Sequence, residues 1–116
     1  MSQRNRYYLG IDDLARARGP EPALAFDGNS PAALAAAVQD ALRNSALFER
    51  WRARQDAPDE IDPALGRTDL LATVQARQDD LHVAMEIVSD LPMPLVRQRL
   101  NWLIGAHWTL RDVRTA

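Results

Sequence analysis

The 116-residue chain contains no cysteine and no lysine; all fourteen of its basic residues are arginine. Without cysteine there is no disulfide frame, thiolate metal site or cysteine nucleophile. Without lysine there is no Schiff base, no P-loop lysine and no kinase-type lysine. No apolar run approaches the length of a membrane span. The N-terminal MSQRNRYYLG carries arginines with no apolar stretch behind them, so no secretory signal is expected there. The five glycines are scattered singly, which excludes a phosphate-cradling loop. The two histidines, His82 and His107, have no second histidine or cysteine at metal-ligand spacing. The four serines stand in no nucleophile-elbow motif.

What remains is an ordinary globular balance. Hydrophobic residues make up 47%, charged residues 26%, and the formal net charge is −2. The length suits one domain, and a chain of this size buries roughly two-thirds of its unfolded surface. The arginine bias fits either a GC-rich genome, with a bacterial source expected, or selection for guanidinium chemistry. The expected compartment is the cytoplasm.

Residues 1–5 are polar and expected to fray. Arg6 to Ile11 has the aromatic and β-branched content of a strand. Asp12 and Asp13 end it, and either can cap a turn of helix from Leu14 to Arg18. The Gly19-Pro20-Glu21-Pro22 break follows. Ala23 to Phe26 reads as a second short strand, stopped by Asp27-Gly28-Asn29. Ser30-Pro31 is the best local helix start, because serine caps orphan amides and proline suits the first helical position. An interruption near Asn44-Ser45 separates this helix from a short one ending near Arg54. Residues 55–68, with two prolines and four acidic side chains, form a loop: a mobile connector or a functional segment.

Residues 69–89 fit two patterns. As strands, Leu70, Ala72, Val74 and Ala76, then Leu81, Val83, Met85 and Ile87, place one apolar face on a hairpin. As a helix, Leu71, Val74, Gln78, Leu81, Met85 and Val88 follow a heptad-like spacing. The hairpin is preferred, because its alternation is cleaner and Asp79-Asp80 makes a better turn than helix interior. A last helix is expected from Leu91 to Val113, capped by Asp90, with Val96, Leu100, Leu103, Ala106 and Leu110 as its core stripe. His107 falls on that stripe. Ile104, Trp102 and Trp108 fall outside it, so the apolar surface is wider than one core contact needs. Gly105, inside this helix, either admits a close backbone or is merely tolerated.

Three constellations bear on function. Asp12, Asp13 and Asp27 end expected strands, where hard cations such as Mg²⁺ or Mn²⁺ are held in α/β sheets; aspartate also serves simply to cap helices and open turns. A receiver-type reading of Asp12 and Asp13 fails for want of lysine. Arg50, Arg52 and Arg54 around Trp51 make a basic-aromatic patch able to meet phosphates and bases, but Asp56, Asp59, Glu60 and Asp62 follow at once. Arg97 and Arg99 lie near Trp102 and Trp108, and Arg and Trp are the residues enriched at protein–protein hot spots.

The expected fold is α+β: a small, about four-stranded, mostly antiparallel sheet covered on one face by two long helices, with a mostly helical fold as the alternative. The expected function is a non-enzymatic protein–protein interaction, chaperone-like or regulatory module, as a homodimer or with a protein partner. Its surface would draw on Arg50, Trp51, Arg54, Arg97, Arg99, Trp102 and Trp108. No cofactor is expected. The alternatives are a small metal-dependent enzyme or ligand-binding protein using Asp12, Asp13 and Asp27 and, more weakly, nucleic-acid binding through Arg50, Arg52 and Arg54.

Overall fold

In the computed structural model, which describes residues 3–116, seven main elements follow in order: β1 (Asn5–Ile11), α1 (Pro31–Arg43), α2 (Ala46–Ala53), β2 (Thr73–Asp79), β3 (His82–Ser89), α3 (Met93–Ile104) and β4 (Thr109–Thr115). The strands form one antiparallel sheet in the order β2-β3-β1-β4. The fold is α+β.

Alternation along the strands sets the two faces of the sheet. Tyr7, Leu9, Ile11, Val83, Met85 and Ile87 are buried on one face. Leu34, Val38 and Leu42 of α1 and Val96, Leu100 and Leu103 of α3 join them in the core. The other face carries Arg6, Tyr8, Gln75, Arg77, Glu86 and Asp112 toward solvent, and no helix of the described residues covers it. A sheet clothed on one side by amphipathic helices explains the alternation in β3, where every second residue is buried.

Local signals act where they were read. Asp13 accepts the Ala15 N–H at 3.1 Å and opens a 3-10 turn over Leu14–Arg16. Ser30 Oγ accepts the Ala33 N–H at 3.1 Å, with Pro31 at the first position of α1. The hairpin pairs Asp79 with His82 and leaves Asp80-Leu81 as a two-residue turn. Asp80 takes φ 58°, a left-handed value that aspartate tolerates. At α2 Ser45 makes no side-chain cap bond, and Asn44 Oδ1 accepts the Ala46 N–H at 3.0 Å.

Three expectations are corrected. Ala23 to Phe26 is a turn, not a strand. Pro22 directly precedes the segment, which joins no strand of the sheet. Leu24 and Phe26 are instead buried singly in the core, and the Phe26 N–H donates to Leu103 O at 2.8 Å. The last helix ends at Ile104 rather than Val113, because Gly105 adopts φ 63° and turns the chain out of the helix. Thr109 to Thr115 then pairs with β1. The fourth strand is therefore β4, not Ala23–Phe26. The start of α3 also moves: Pro92 is its N-cap, and the Asp90 N–H donates to Asp69.

Gly105 and Gly19 close the region between them. The Gly19 N–H donates to Leu103 O at 3.0 Å, and a Cβ on Gly19 would overlap the Trp102 carbonyl. Glycine is needed there for close approach, and at Gly105 for conformation. Among the described residues no helix is long and apolar enough to cross a membrane.

Candidate interaction surface

Two elements far apart in sequence build one aromatic cluster. In α2, Leu47 and Phe48 point into the core, and Trp51, three residues after Phe48, rests at its edge. In α3, Val96, Leu100 and Leu103 face inward and carry Trp102 to the same edge. The Trp51 and Trp102 rings stack with centroids 5.0 Å apart, and Phe48 lies 5.9 Å from Trp51 and 6.5 Å from Trp102. Both tryptophans keep part of their surface in solvent.

A recess of about 450 Å³ lies between α1, the start of α2 and the 22–27 turn, lined by the helix neighbours of the three aromatic residues rather than by those residues themselves. Asp27, Asp40, Asn44, Leu47, Arg50 and Leu103 are among its lining residues. Arg50 is exposed and belongs to no ion pair among the described residues. Arg54 pairs with Glu21 at 2.6 Å, and Arg52 with Glu49 at 2.8 Å. Of the three arginines around Trp51, only Arg50 offers an uncompensated charge to a partner.

The other candidates lie elsewhere. Trp108 donates its indole N–H to Asn101 Oδ1 at 3.0 Å. Arg97 is exposed on the helical line of Asn101, four residues before it, and that line is turned away from Trp102. Arg97 and Trp108 therefore do not extend the Trp51–Trp102 patch.

Arg99 is fully buried and forms no part of a surface. Its guanidinium donates to Arg67 O at 2.6 Å, Leu95 O at 3.3 Å and Gln98 Oε1 at 3.2 Å. No carboxylate pairs with it among the described residues, its Nε has no partner, and burial lowers its pKa. Through Arg67 it ties the 55–68 loop to α3. That loop contains two 3-10 turns, Pro58–Glu60 and Pro63–Gly66.

The aspartates are dispersed. Asp12 and Asp13 line a recess with His82 and Arg18, whereas Asp27 lines the separate recess beside Arg50. Among the described residues no group of three His, Cys, Asp or Glu side chains is placed to hold a metal ion. His107, expected on an apolar face, is exposed, because the helix ends before it.

Sequence reasoning missed Asp69. This residue is 6% exposed. Its Oδ2 accepts Arg4 Nη2 at 3.0 Å, Ser89 Oγ at 2.9 Å and the Asp90 N–H at 3.1 Å, and its Oδ1 accepts the Leu71 N–H at 3.0 Å. Burial pushes its pKa up, but the hydrogen bonds from Arg4, Asp90, Leu71 and Ser89 outweigh burial and hold it below the usual carboxylate value. Leu70 and Leu81, expected on the apolar face of the hairpin, are exposed, because β2 begins only at Thr73 and Asp79 already pairs with His82; Leu71 and Val113 are exposed as well. Leu81 sits at the hairpin turn and Val113 on an edge strand, positions that side-chain periodicity alone does not identify.

No family model matches the chain, and neither does any curated protein or solved structure.

Proposed function

We propose that this chain is a non-enzymatic protein–protein interaction module of the cytoplasm, adaptor-like, chaperone-like or regulatory, and that the Trp51–Trp102 face binds its protein partner. The observation that carries this reading is the 5.0 Å stack of two partly exposed tryptophans, on helices that also carry Arg50 and Leu103 to the lining of a recess. Rigid aromatic anchors, a concave surface and an available guanidinium carried by the same two helices are the makings of a binding hot spot. The stack has little conformational freedom left to lose on binding, because Phe48 holds it from below. The metal-dependent alternative finds no support in the scattered positions of Asp12, Asp13 and Asp27. The nucleic-acid alternative is weakened because glutamates neutralise Arg52 and Arg54.

Affinity capture from extracts of the source cells tests the reading. The wild-type chain should retain a defined partner. Arg50→Glu, which leaves the core untouched, should reduce its recovery about tenfold, a loss ordinary for one interface charge reversal. Trp51→Ala with Trp102→Ala should abolish it while circular dichroism still reports the folded sheet. Undiminished recovery by Arg50→Glu and by the folded double variant would refute the proposal.

A further inference from the structure

The two edges of the sheet are finished differently. At β2, α1 closes the edge: Gln39 Oε1 accepts the Val74 N–H at 3.0 Å, and Arg43 Nε donates to Ala72 O at 2.6 Å. At β4 no helix of the described residues does this, and six of its seven residues are exposed. Among the described residues the Val113 N–H donates to a side chain of its own strand, Asp112 Oδ1 at 2.9 Å. An open edge of this kind is a template for another strand.

A β-bulge gives this edge an unusual symmetry. The β1–β4 register shifts between Tyr8 and Leu9, pairing Tyr8 with Asp112 and Leu9 with Leu110, so Arg111 is the extra residue. Arg111 lies over Gly10, on the uncovered face, and Asp112 shares that face with Arg114, to which it is bonded at 2.8 Å. Consecutive residues therefore face the same way. Leu110, opposite Leu9, and Val113, opposite Tyr7, face the helix side. Around a point midway between Arg111 and Asp112, the strand is self-complementary. Leu110 and Val113 match on one face, and Arg111 and Asp112, then Thr109 and Arg114, on the other. In a regular strand this register would set inward residues against outward ones. The bulge removes that conflict.

We infer that β4 pairs antiparallel with β4 of a second copy of this chain, about a two-fold axis between Arg111 and Asp112, making one continuous eight-stranded sheet. Leu110 of each copy lies against Val113 of the other, and Arg111 of each faces Asp112 of the other. Arg111 has no ion pair within the described residues of its own chain, which leaves its guanidinium available. When the second strand takes the Val113 N–H into a main-chain bond, Asp112 Oδ1 is released toward the incoming Arg111. A self-complementary patch is what a two-fold dimer requires. A seam one strand wide belongs at the small end of the interface range, so the dimer dissociates on dilution. None of the Trp51–Trp102 face is used, so this inference and the proposed function fail independently.

Light scattering over a dilution series is the first test, and twice the chain mass is expected at high concentration. Arg111→Asp and Asp112→Arg, each placing like charges together twice, should each weaken the dimer about tenfold or more. The doubly swapped chain, Arg111→Asp with Asp112→Arg, should dimerise again. The chain's lack of cysteine permits a register test. Under mild oxidation, a mixture of Leu110→Cys and Val113→Cys chains should form the mixed disulfide, whereas either variant alone should remain uncrosslinked. A single-chain mass at every concentration would overturn the inference. So would single charge reversals that leave the dimer intact, or a cysteine mixture giving no mixed disulfide.

Discussion

Asp69→Ala is expected to cost about 3–5 kcal/mol, the largest loss of any single substitution considered for this chain. Asp69 gathers three separate parts of the fold. Arg4 precedes β1, Ser89 ends β3, and Leu71 precedes β2. Removing the carboxylate leaves the Ser89 hydroxyl and the Asp90 amide without an acceptor and strips Arg4 of its counter-charge. For a domain of this size the melting temperature should fall roughly 10–20 °C. Asp69→Asn, which keeps an acceptor oxygen and loses the charge, should lie between alanine and wild type.

The same residue makes stability pH-dependent with a definite sign. Its pKa is lowered on folding, so its contribution is complete above the unfolded value, about pH 4, and is lost as pH falls through the lower folded value. Thermal melts from pH 6 downward should show the wild-type chain losing stability below about pH 4. The Asp69→Asn chain should show a shallower acid slope. Parallel slopes would mean that other carboxylates control acid unfolding.

Arg99 supplies the second large effect, and here the replacement decides the outcome. Arg99→Ala removes the hydrogen bond to Arg67 O and opens a cavity in a closely packed core, so a loss of about 3 kcal/mol is expected. Arg99→Met fills most of that volume and removes a buried charge that no carboxylate of the described residues pairs. Its cost should be about 1 kcal/mol or less. Both variants unfasten the 55–68 loop from α3. Limited trypsin digestion should therefore cut after Arg54 or Arg67 faster in both than in wild type. Equal stability of the alanine and methionine chains would show that packing around Arg99 is unimportant.

The sequence was legible where a local cause determines the structure. The Ser30-Pro31 start of α1 and the alternation of Val83, Met85 and Ile87 in β3 each fix an element from its own residues. It misled where a distant partner decides. Thr109 to Thr115 carries a helix-compatible pattern, and only the free edge of β1, about a hundred residues earlier, makes it a strand. The positive φ of Gly105 is invisible in composition, although a glycine ahead of Thr, Val and Trp was a usable stop signal. The surface role expected of Arg99 missed a signal that was present. Position 99 lies three residues after Val96 and four before Leu103, on the buried stripe, so periodicity itself points the side chain inward. The Trp51–Trp102 pair joins residues 51 positions apart, and no local pattern predicts that they stack. Asp69 likewise acquires its meaning only once β1 and β3 lie side by side.

Site-specific photocrosslinking in the source cells tests most directly whether the partner binds at the Trp51–Trp102 face. A photoreactive residue in place of Arg50 should give one discrete higher-mass adduct. The same residue in place of Arg77, on the uncovered face of β2, should not give it. Adducts of equal yield from both positions, or from Arg77 alone, would contradict the placement of the binding face at Trp51 and Trp102.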